Sequence, residues 1–146
     1  MKIKSAIAAI AMVASFTANA STYRIESKVD KFEETSSHTL KIDGYSLYFR
    51  CSGDGSHYVS AFGNKIGSDS IKIKIDGELV FDEYEKTYDY GGVASFHLWQ
   101  EDFDALLNKI ASGNQMMTKV NFGSVHEYNL KGSAAAIKKF KSKCKH

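Results

Sequence analysis

The chain has 146 residues, of which 43% are hydrophobic and 25% are charged, and its formal net charge is +2. This length suits one domain and is too short for two domains with separate hydrophobic cores. The composition is that of a globular protein and excludes collagen, coiled coil and intrinsic disorder. Proline is absent, so we expect the 11 glycines to mark most of the turns.

The first twenty residues have the three parts of a secretory signal peptide. Residues 1–4 are short and basic, and the apolar run that follows is about 13 residues, too short to span a bilayer. A small-x-small motif predicts cleavage between Ala20 and Ser21, leaving residues 21–146 as a single exported α+β domain. An uncleaved N-terminal membrane anchor is the alternative. We expect the mature protein in the periplasm or outside the cell, with no transmembrane segment after cleavage.

From Tyr23 to Trp99 the residues alternate as in strands. Asp43-Gly44 lies between the runs 39–42 and 45–51, and Asp76-Gly77 lies between 71–75 and 78–81. An Asp-Gly pair in this setting is a strong signal for a hairpin with a two-residue type I′ turn. Further strands are predicted at 57–62 and 92–99, and the second of these places three apolar side chains on one face: Ala94, Phe96 and Leu98.

A helix is predicted after these strands. Residues 101–112 carry a single apolar stripe with acids in the first turn and Lys109 in the last, and Gly113 can close the helix. The stripe consists of Phe103, Leu106, Leu107 and Ile110.

The C-terminal part predicts a second hairpin and a second helix. Residues 116–122 and 125–130 form the hairpin around Gly123-Ser124, and Ser133 is the expected N-cap of a helix that ends at about Lys143. The predicted fold class is therefore α+β: a mostly antiparallel β-sheet or small β-sandwich with two helices.

We predict a disulfide between Cys51 and Cys144, the only two cysteines. Cys51 is in phase with Phe49 on the apolar face of its strand, and Cys144 follows Ile137 and Phe140 on the apolar face of the last helix. Export places the chain where disulfides form. The bridge would pin the C-terminal helix to the sheet. Two buried free thiols are the alternative, and the lack of C-x-x-C argues against a redox pair.

The sequence carries no catalytic or metal-binding signature. H-E-x-x-H, G-x-S-x-G, zinc-ligand spacings and phosphate-binding loops are all absent. We interpret residues 53–57, which bring Ser, Asp and His together, as a turn. We therefore expect no cofactor, no metal and no enzymatic activity. The alternative is a cell-wall-directed hydrolase that draws acid and base groups from Asp82, Glu83, Glu85 or His97.

Charge is segregated along the chain. Residues 76–104 hold nine acids and one lysine, whereas residues 105–146 hold eight lysines and one acid. Removal of the leader would make the mature domain formally neutral. Acids steer a basic protein partner and tyrosines supply contact area, so the partner-binding candidates are Asp82, Glu83, Tyr84, Glu85, Tyr88 and Tyr90. A tyrosine-rich, half-buried pair of strands is the alternative.

The last helix supplies candidates for attachment to an anionic envelope surface: Lys138, Lys139, Lys141, Lys143 and Lys145. A solvated helix face with lysines near its C-terminus is the simpler interpretation. Export and a mature charge near zero argue against nucleic acid as a partner. The partner is thus expected to be a protein or an envelope component, and the sequence leaves the oligomeric state open.

Four stretches carry a resemblance to a known family, and two of them are residues 74–76, which match a basic-x-Asp strand end, and the apolar stripe of residues 103–110, which resembles an internal helix. Residues 128–132, continued by the apolar positions and cysteine of 136–144, are similar to the ending aromatic-x-Leu-x-Gly…Ala-Ile-x-x-(Leu/Phe)-x-x-x-Cys of the VasI/TagO-like periplasmic accessory proteins of type VI secretion. Residues 47–51 resemble that family's Leu-x-x-Arg-Cys strand. Tyr23 and Lys145 stand where the family often has Trp. The same ending also resembles exported invasion-associated domains.

The resemblance implies a non-enzymatic envelope protein and supplies no catalytic residues. Our leading hypothesis is an exported binding or accessory protein of the bacterial envelope, of the secretion-accessory, inhibitor or immunity type. The two alternatives are the cell-wall hydrolase and envelope-surface attachment through the Lys-rich C-terminal helix.

Overall fold

The computed structural model describes residues 20–43, 46–63, 67–87 and 92–144, and these ranges contain nine strands and two helices. The elements in chain order are β1 (Tyr23–Asp30), β2 (Thr35–Ile42), β3 (Leu47–Ser52), β4 (His57–Phe62), β5 (Ser68–Ile75), β6 (Glu78–Lys86), β7 (Val93–Leu98), α1 (Gln100–Ser112), β8 (Gln115–Val120), β9 (Val125–Asn129) and α2 (Ser133–Lys143).

The strands form two antiparallel sheets. One has five strands in the order β1-β2-β3-β4-β7, and the other has four in the order β6-β5-β8-β9. A single hydrophobic core joins both sheets and both helices, so the predicted α+β class is confirmed. Phe103 of α1 is buried in this core, with its ring centroid 6.2 Å from that of Phe49 on β3 and 6.3 Å from that of Phe140 on α2.

The second Asp-Gly hairpin is confirmed in detail. Ile75 pairs with Glu78, and Asp76 and Gly77 both have positive φ, as a type I′ turn requires. The first Asp-Gly pair also lies in a hairpin, between β2 and β3. There Ile42 pairs with Leu47, so the predicted two-residue turn is wrong and the connection is longer. Residues 44 and 45 lie outside the described residues.

The hairpin of β8 and β9 forms as predicted, but β8 ends at Val120 instead of continuing to 122. Asn121 and Phe122 take positive φ values of 48° and 58° and begin the turn. Asn121 holds this geometry through two bonds to Ser70 of β5: its side-chain Oδ1 accepts from the Ser70 N–H at 2.8 Å, and its backbone N–H donates to the Ser70 carbonyl at 2.9 Å. The turn therefore begins two residues earlier than predicted, because Asn121 is hydrogen-bonded to a strand that is distant in the sequence.

Helix α1 buries the four predicted apolar residues, and Gly113 ends the helix as expected. Gly113 has φ of −86°, so it is not needed for a left-handed conformation. Space requires it instead, because a Cβ there would lie 2.4 Å from Ile75 Cγ2 and 3.1 Å from Leu130 Cδ1. The helix end is thus pressed against β5 and the segment after β9.

The expected N-cap role of Ser133 is wrong. Gly132, with φ of 88°, is the N-cap of α2, and Ser133 is the first helical residue. The buried Ser133 hydroxyl donates instead to the Ile110 carbonyl at 3.0 Å. Ile110 is in the last turn of α1, where carbonyls lack helical partners. Ser133 therefore joins the two helices.

The predicted disulfide is confirmed: Cys51 of β3 is bonded to Cys144, which follows α2. The helix packs against β1 and β2 and seats Ile137 and Phe140 in the core. The C-terminal helix is therefore pinned to the five-stranded sheet, as the periodicity of the two segments indicates.

Candidate functional site

An open groove of about 650 Å³ lies between β6, the end of β7 and α1. Its floor is apolar and includes Phe81 from the four-stranded sheet and Phe96 from the five-stranded sheet, whose ring centroids are 6.2 Å apart. Its lining also has four carboxylates and one lysine: Glu78, Asp82, Glu83, Asp102 and Lys109. The groove thus combines an apolar floor with a mostly negative rim.

Strand β6 is the edge of the four-stranded sheet. It pairs with β5, and within the described ranges no strand pairs with its other side. In an antiparallel pair, alternate residues direct their N–H and C=O groups away from the partner strand. Over nine residues, β6 therefore presents a row of unpaired backbone groups beside the groove.

A β-bulge at Val80 sets which face each side chain of β6 takes. Ile73 is opposite Phe81, whereas the next residue, Lys74, is opposite Leu79, so Val80 is the extra residue. Beyond the bulge, Glu83 lies opposite the fully buried Ile71. Residues directly opposite each other share a face, so Phe81 and Glu83 are on the inner face of the sheet.

The predicted partner-binding residues on β6 are divided between the two faces of the sheet. Glu83 and Glu85 are on the inner face, and Asp82 and Tyr84 are on the outer face. Asp82 Oδ2 lies 3.8 Å from Lys72 Nζ, and both groups are well exposed. Tyr84 packs near Phe122, with ring centroids 6.4 Å apart. Tyr88 and Tyr90 lie outside the described residues.

Asp82 and Glu83 both line the groove although they lie on different faces of β6, and two acids that the sequence interpretation passed over line it as well. Glu78 follows the Asp76-Gly77 turn, and Asp102 is in the first turn of α1. An acid in the first turn of a helix is explained by the helix dipole alone, so the sequence does not single out Asp102. Glu78 Oε2 lies 3.9 Å from Lys109 Nζ, an exposed and weak pair.

Trp99, the only tryptophan of the chain, also lines the groove. Its side chain is 77% exposed at the N-cap position of α1, and its ring lies 6.0 Å from that of His97. Leu79, on the opposite wall, is 48% exposed. Exposed tryptophan and leucine beside charged residues are typical of a binding surface. Sequence reasoning missed Trp99 because it ends a strand pattern, and the signal was its position directly before a helix.

The lysines of α2 differ in solvent exposure and in their contacts. Lys138, Lys139 and Lys143 are exposed. Lys141 is half-buried, donates from Nζ to Asn108 Oδ1 at 2.8 Å and lies 3.7 Å from an Asp104 carboxylate oxygen. It therefore holds α2 to α1. Lys145 lies outside the described residues.

The interpretation of residues 53–57 as a turn is confirmed for 53–56, and His57 begins β4. The Asp54 carboxylate accepts from the Ser56 N–H at 2.9 Å and from its hydroxyl at 2.6 Å, and these bonds lower the pKa of Asp54. In the described part of the chain, no group of three or more His, Cys, Asp or Glu residues could hold a metal ion. The serine of this run thus serves the turn.

The other shifted pKa values also lie away from the groove. A hydrogen bond from Lys41 lowers the pKa of Glu26 on the outer face of the five-stranded sheet. Burial, together with the negative charge of Asp43, raises the pKa of Tyr23. These shifts follow from local hydrogen bonding and burial at the β1 end of that sheet.

The expected mature N-terminus is joined to the fold. The Ser21 N–H donates to the Asn129 carbonyl at 3.1 Å, and the Thr22 N–H donates to Asp43 Oδ1 at 2.9 Å. Ala20 is exposed, and residues 1–19, which carry the predicted leader, lie outside the described residues. Neither helix in the described ranges has the length and hydropathy needed to cross a bilayer.

No protein family, curated protein or solved structure matches this chain.

Proposed function

We propose that the chain is an exported, non-enzymatic binding protein of the bacterial envelope, of the secretion-accessory, inhibitor or immunity type, and that it holds a protein partner in the groove between β6, β7 and α1. The disulfide and the lack of a membrane-crossing helix in the described residues are compatible with a periplasmic or secreted location. The observation that supports the proposal is a groove beside one open strand edge whose lining combines an apolar floor, an exposed Trp99 and four carboxylates.

The chemistry of the groove indicates a basic partner. Apolar contacts on Phe81, Leu79 and Trp99 would contribute roughly 25 cal/mol for each Å² removed from water. Exposed carboxylates add little to affinity in high dielectric, but they speed encounter with a positive surface and disfavour acidic competitors. Among the described residues Glu83 and Asp102 form no ion pair, so both are open to a cationic partner.

Capture from an envelope extract of the native bacterium tests the proposal. The bait is residues 21–146, and the test variant carries Glu83→Lys and Asp102→Lys. Glu127→Lys is the matched control, since Glu127 is an exposed acid on β9, the opposite edge of the same sheet. We expect the test variant to lose about tenfold in capture of a protein that wild type and control both retain. Equal capture by all three baits would contradict the proposal that the partner binds in the groove.

A cell-wall hydrolase is the second candidate, because Asp82, Glu83 and His97 all line the groove. Purified protein incubated with peptidoglycan, with and without metal ions, separates the two functions. The binding proposal expects no release of soluble fragments. Release that Glu83→Gln abolishes would overturn it in favour of hydrolysis.

Attachment to an envelope surface is the third candidate, since Lys138, Lys139 and Lys143 are exposed on α2. Sedimentation with anionic liposomes or lipopolysaccharide at low and high salt measures it. The groove proposal expects no salt-sensitive sedimentation. If the protein does sediment, and the double variant Lys138→Glu with Lys139→Glu does not, attachment through α2 would be favoured.

A further inference from the structure

We infer that the partner binds β6 by strand addition: a basic, extended segment pairs with the open edge of β6 and places alternate side chains in the groove. This inference rests on the proposed function and specifies how the same site works. It concerns residues 81–86, because the bulge at Val80 interrupts regular pairing before that point.

The backbone of β6 favours the addition of a strand. An added strand would satisfy the unpaired N–H and C=O groups along β6, which is the source of affinity in strand addition. The edge of β7 is less suitable, because the Ser95 N–H already donates to the buried Asp69 carboxylate at 3.3 Å. The edge of β9 is partly used as well, since the Ser21 N–H donates to the Asn129 carbonyl.

Charge selects the occupant of the edge. Between 81 and 86, β6 carries three acids and one lysine. A second copy of this chain would bring those acids against their own counterparts, which is unfavourable for directly opposed side chains. A segment rich in Lys or Arg makes favourable pairs at the same positions. β1, the edge of the other sheet, has no such bias, because it carries two acids and two bases.

The face assignment predicts a pattern in the added segment. Phe81, Glu83 and Glu85 share the inner face of β6. The side chains of an added strand that lie beside them alternate at every second residue. Every strand pair in this sheet is antiparallel, so we expect an antiparallel segment that reads basic-x-basic-x-apolar from its N-terminus. Its apolar side chain then lies beside Phe81 and near Phe96, and its basic side chains lie beside the two glutamates.

Trp99 provides the readout, because it is the only tryptophan and lines the groove. The probe is the peptide acetyl-Thr-Lys-Thr-Lys-Thr-Val-Thr-amide, titrated while Trp99 emission is recorded. Two further peptides carry backbone N-methyl groups at alternate residues, one set on each parity. Strand addition needs the N–H groups of one parity alone, so one set should raise Kd about tenfold and the other roughly twofold or less.

Three outcomes decide the inference. Strong weakening by one N-methyl set, with loss of binding in Glu83→Lys and retention in Glu127→Lys, supports it. Equal effects of the two sets, or no binding of any peptide, overturn strand addition, while groove-dependent capture from the extract would leave the proposed function standing. The third outcome is self-association of the wild type, measured by sedimentation at low salt. If Glu83→Lys strengthens or removes it, the edge of β6 binds a second copy of the chain, and the inference is overturned.

Discussion

Two sides of the molecule differ in how their elements are held. On the closed side, formed by α2 with β1 to β3, the helix is joined to β3 by the Cys51–Cys144 bond and to α1 by Ser133 and Lys141. On the open side, formed by β6, the end of β7 and the start of α1, an edge strand borders a groove with exposed apolar and acidic side chains. Stability and binding should therefore be separable by mutation.

Among substitutions on the closed side, removal of the disulfide is expected to lower the free energy of unfolding most. The bond joins residues 93 positions apart, and the chain-entropy account assigns about 4–5 kcal/mol to a loop of that size. Cys51→Ala with Cys144→Ala should lower the free energy of unfolding by that amount, measured by urea denaturation. A loss below about 1 kcal/mol would show that α2 is held without the bond.

Core truncation on the closed side should have the next largest effect. Phe140→Ala removes a fully buried ring that packs on Phe103, and we expect a loss of about 3–5 kcal/mol in unfolding free energy. Phe122→Ala is the control, because Phe122 is 69% exposed in the β8–β9 turn. Its substitution should cost less than about 0.5 kcal/mol. Similar costs for the two variants would contradict the placement of the core.

A smaller effect is expected where α1 ends. Gly113→Ala forces a methyl group into contact with Ile75 and should cost about 1–3 kcal/mol. Gly92→Ala meets no atom within 4 Å and has no positive φ, so it should leave the melting temperature nearly unchanged. Equal melting temperatures for both variants would mean that the end of α1 can shift away from β5.

The smallest effect concerns pH. Lys41 lowers the pKa of Glu26, so the ionised pair stabilises the fold above the ordinary carboxyl pKa, and this contribution is lost as pH falls through the lower, folded-state value. Wild type should therefore lose slightly more stability than Glu26→Gln during acid titration, followed by urea unfolding at several pH values. If Glu26→Gln loses more unfolding free energy than wild type as pH falls, the pKa of Glu26 is not lowered by folding.

Local signals account for what the sequence could predict. The apolar stripe of α1, the Asp76-Gly77 turn and the phase of the two cysteines each depend on residues close together in the chain. The actual roles of Ser133 and Gly113 depend on Ile110 and Ile75, which are distant in sequence, so propensity alone assigned them to ordinary caps.

The candidate site was predictable only in part, for a related reason. The acids of β6 were recognised from their density, but a bulge at Val80 decides which of them share a face. The groove exists because β6 and β7 are edges of different sheets. Strand order is a long-range property, so the contribution of Trp99 and Asp102 became evident only from the fold.

Site-specific photo-crosslinking in living cells tests the central claim that the open side is the binding side. A photoreactive phenylalanine derivative would replace Glu83 on β6, Glu127 on β9 or Lys139 on α2, three exposed positions on different surfaces. We predict that one discrete adduct forms from position 83, with none from 127 or 139. An adduct from position 139 without one from 83 would contradict the account and assign binding to the closed side.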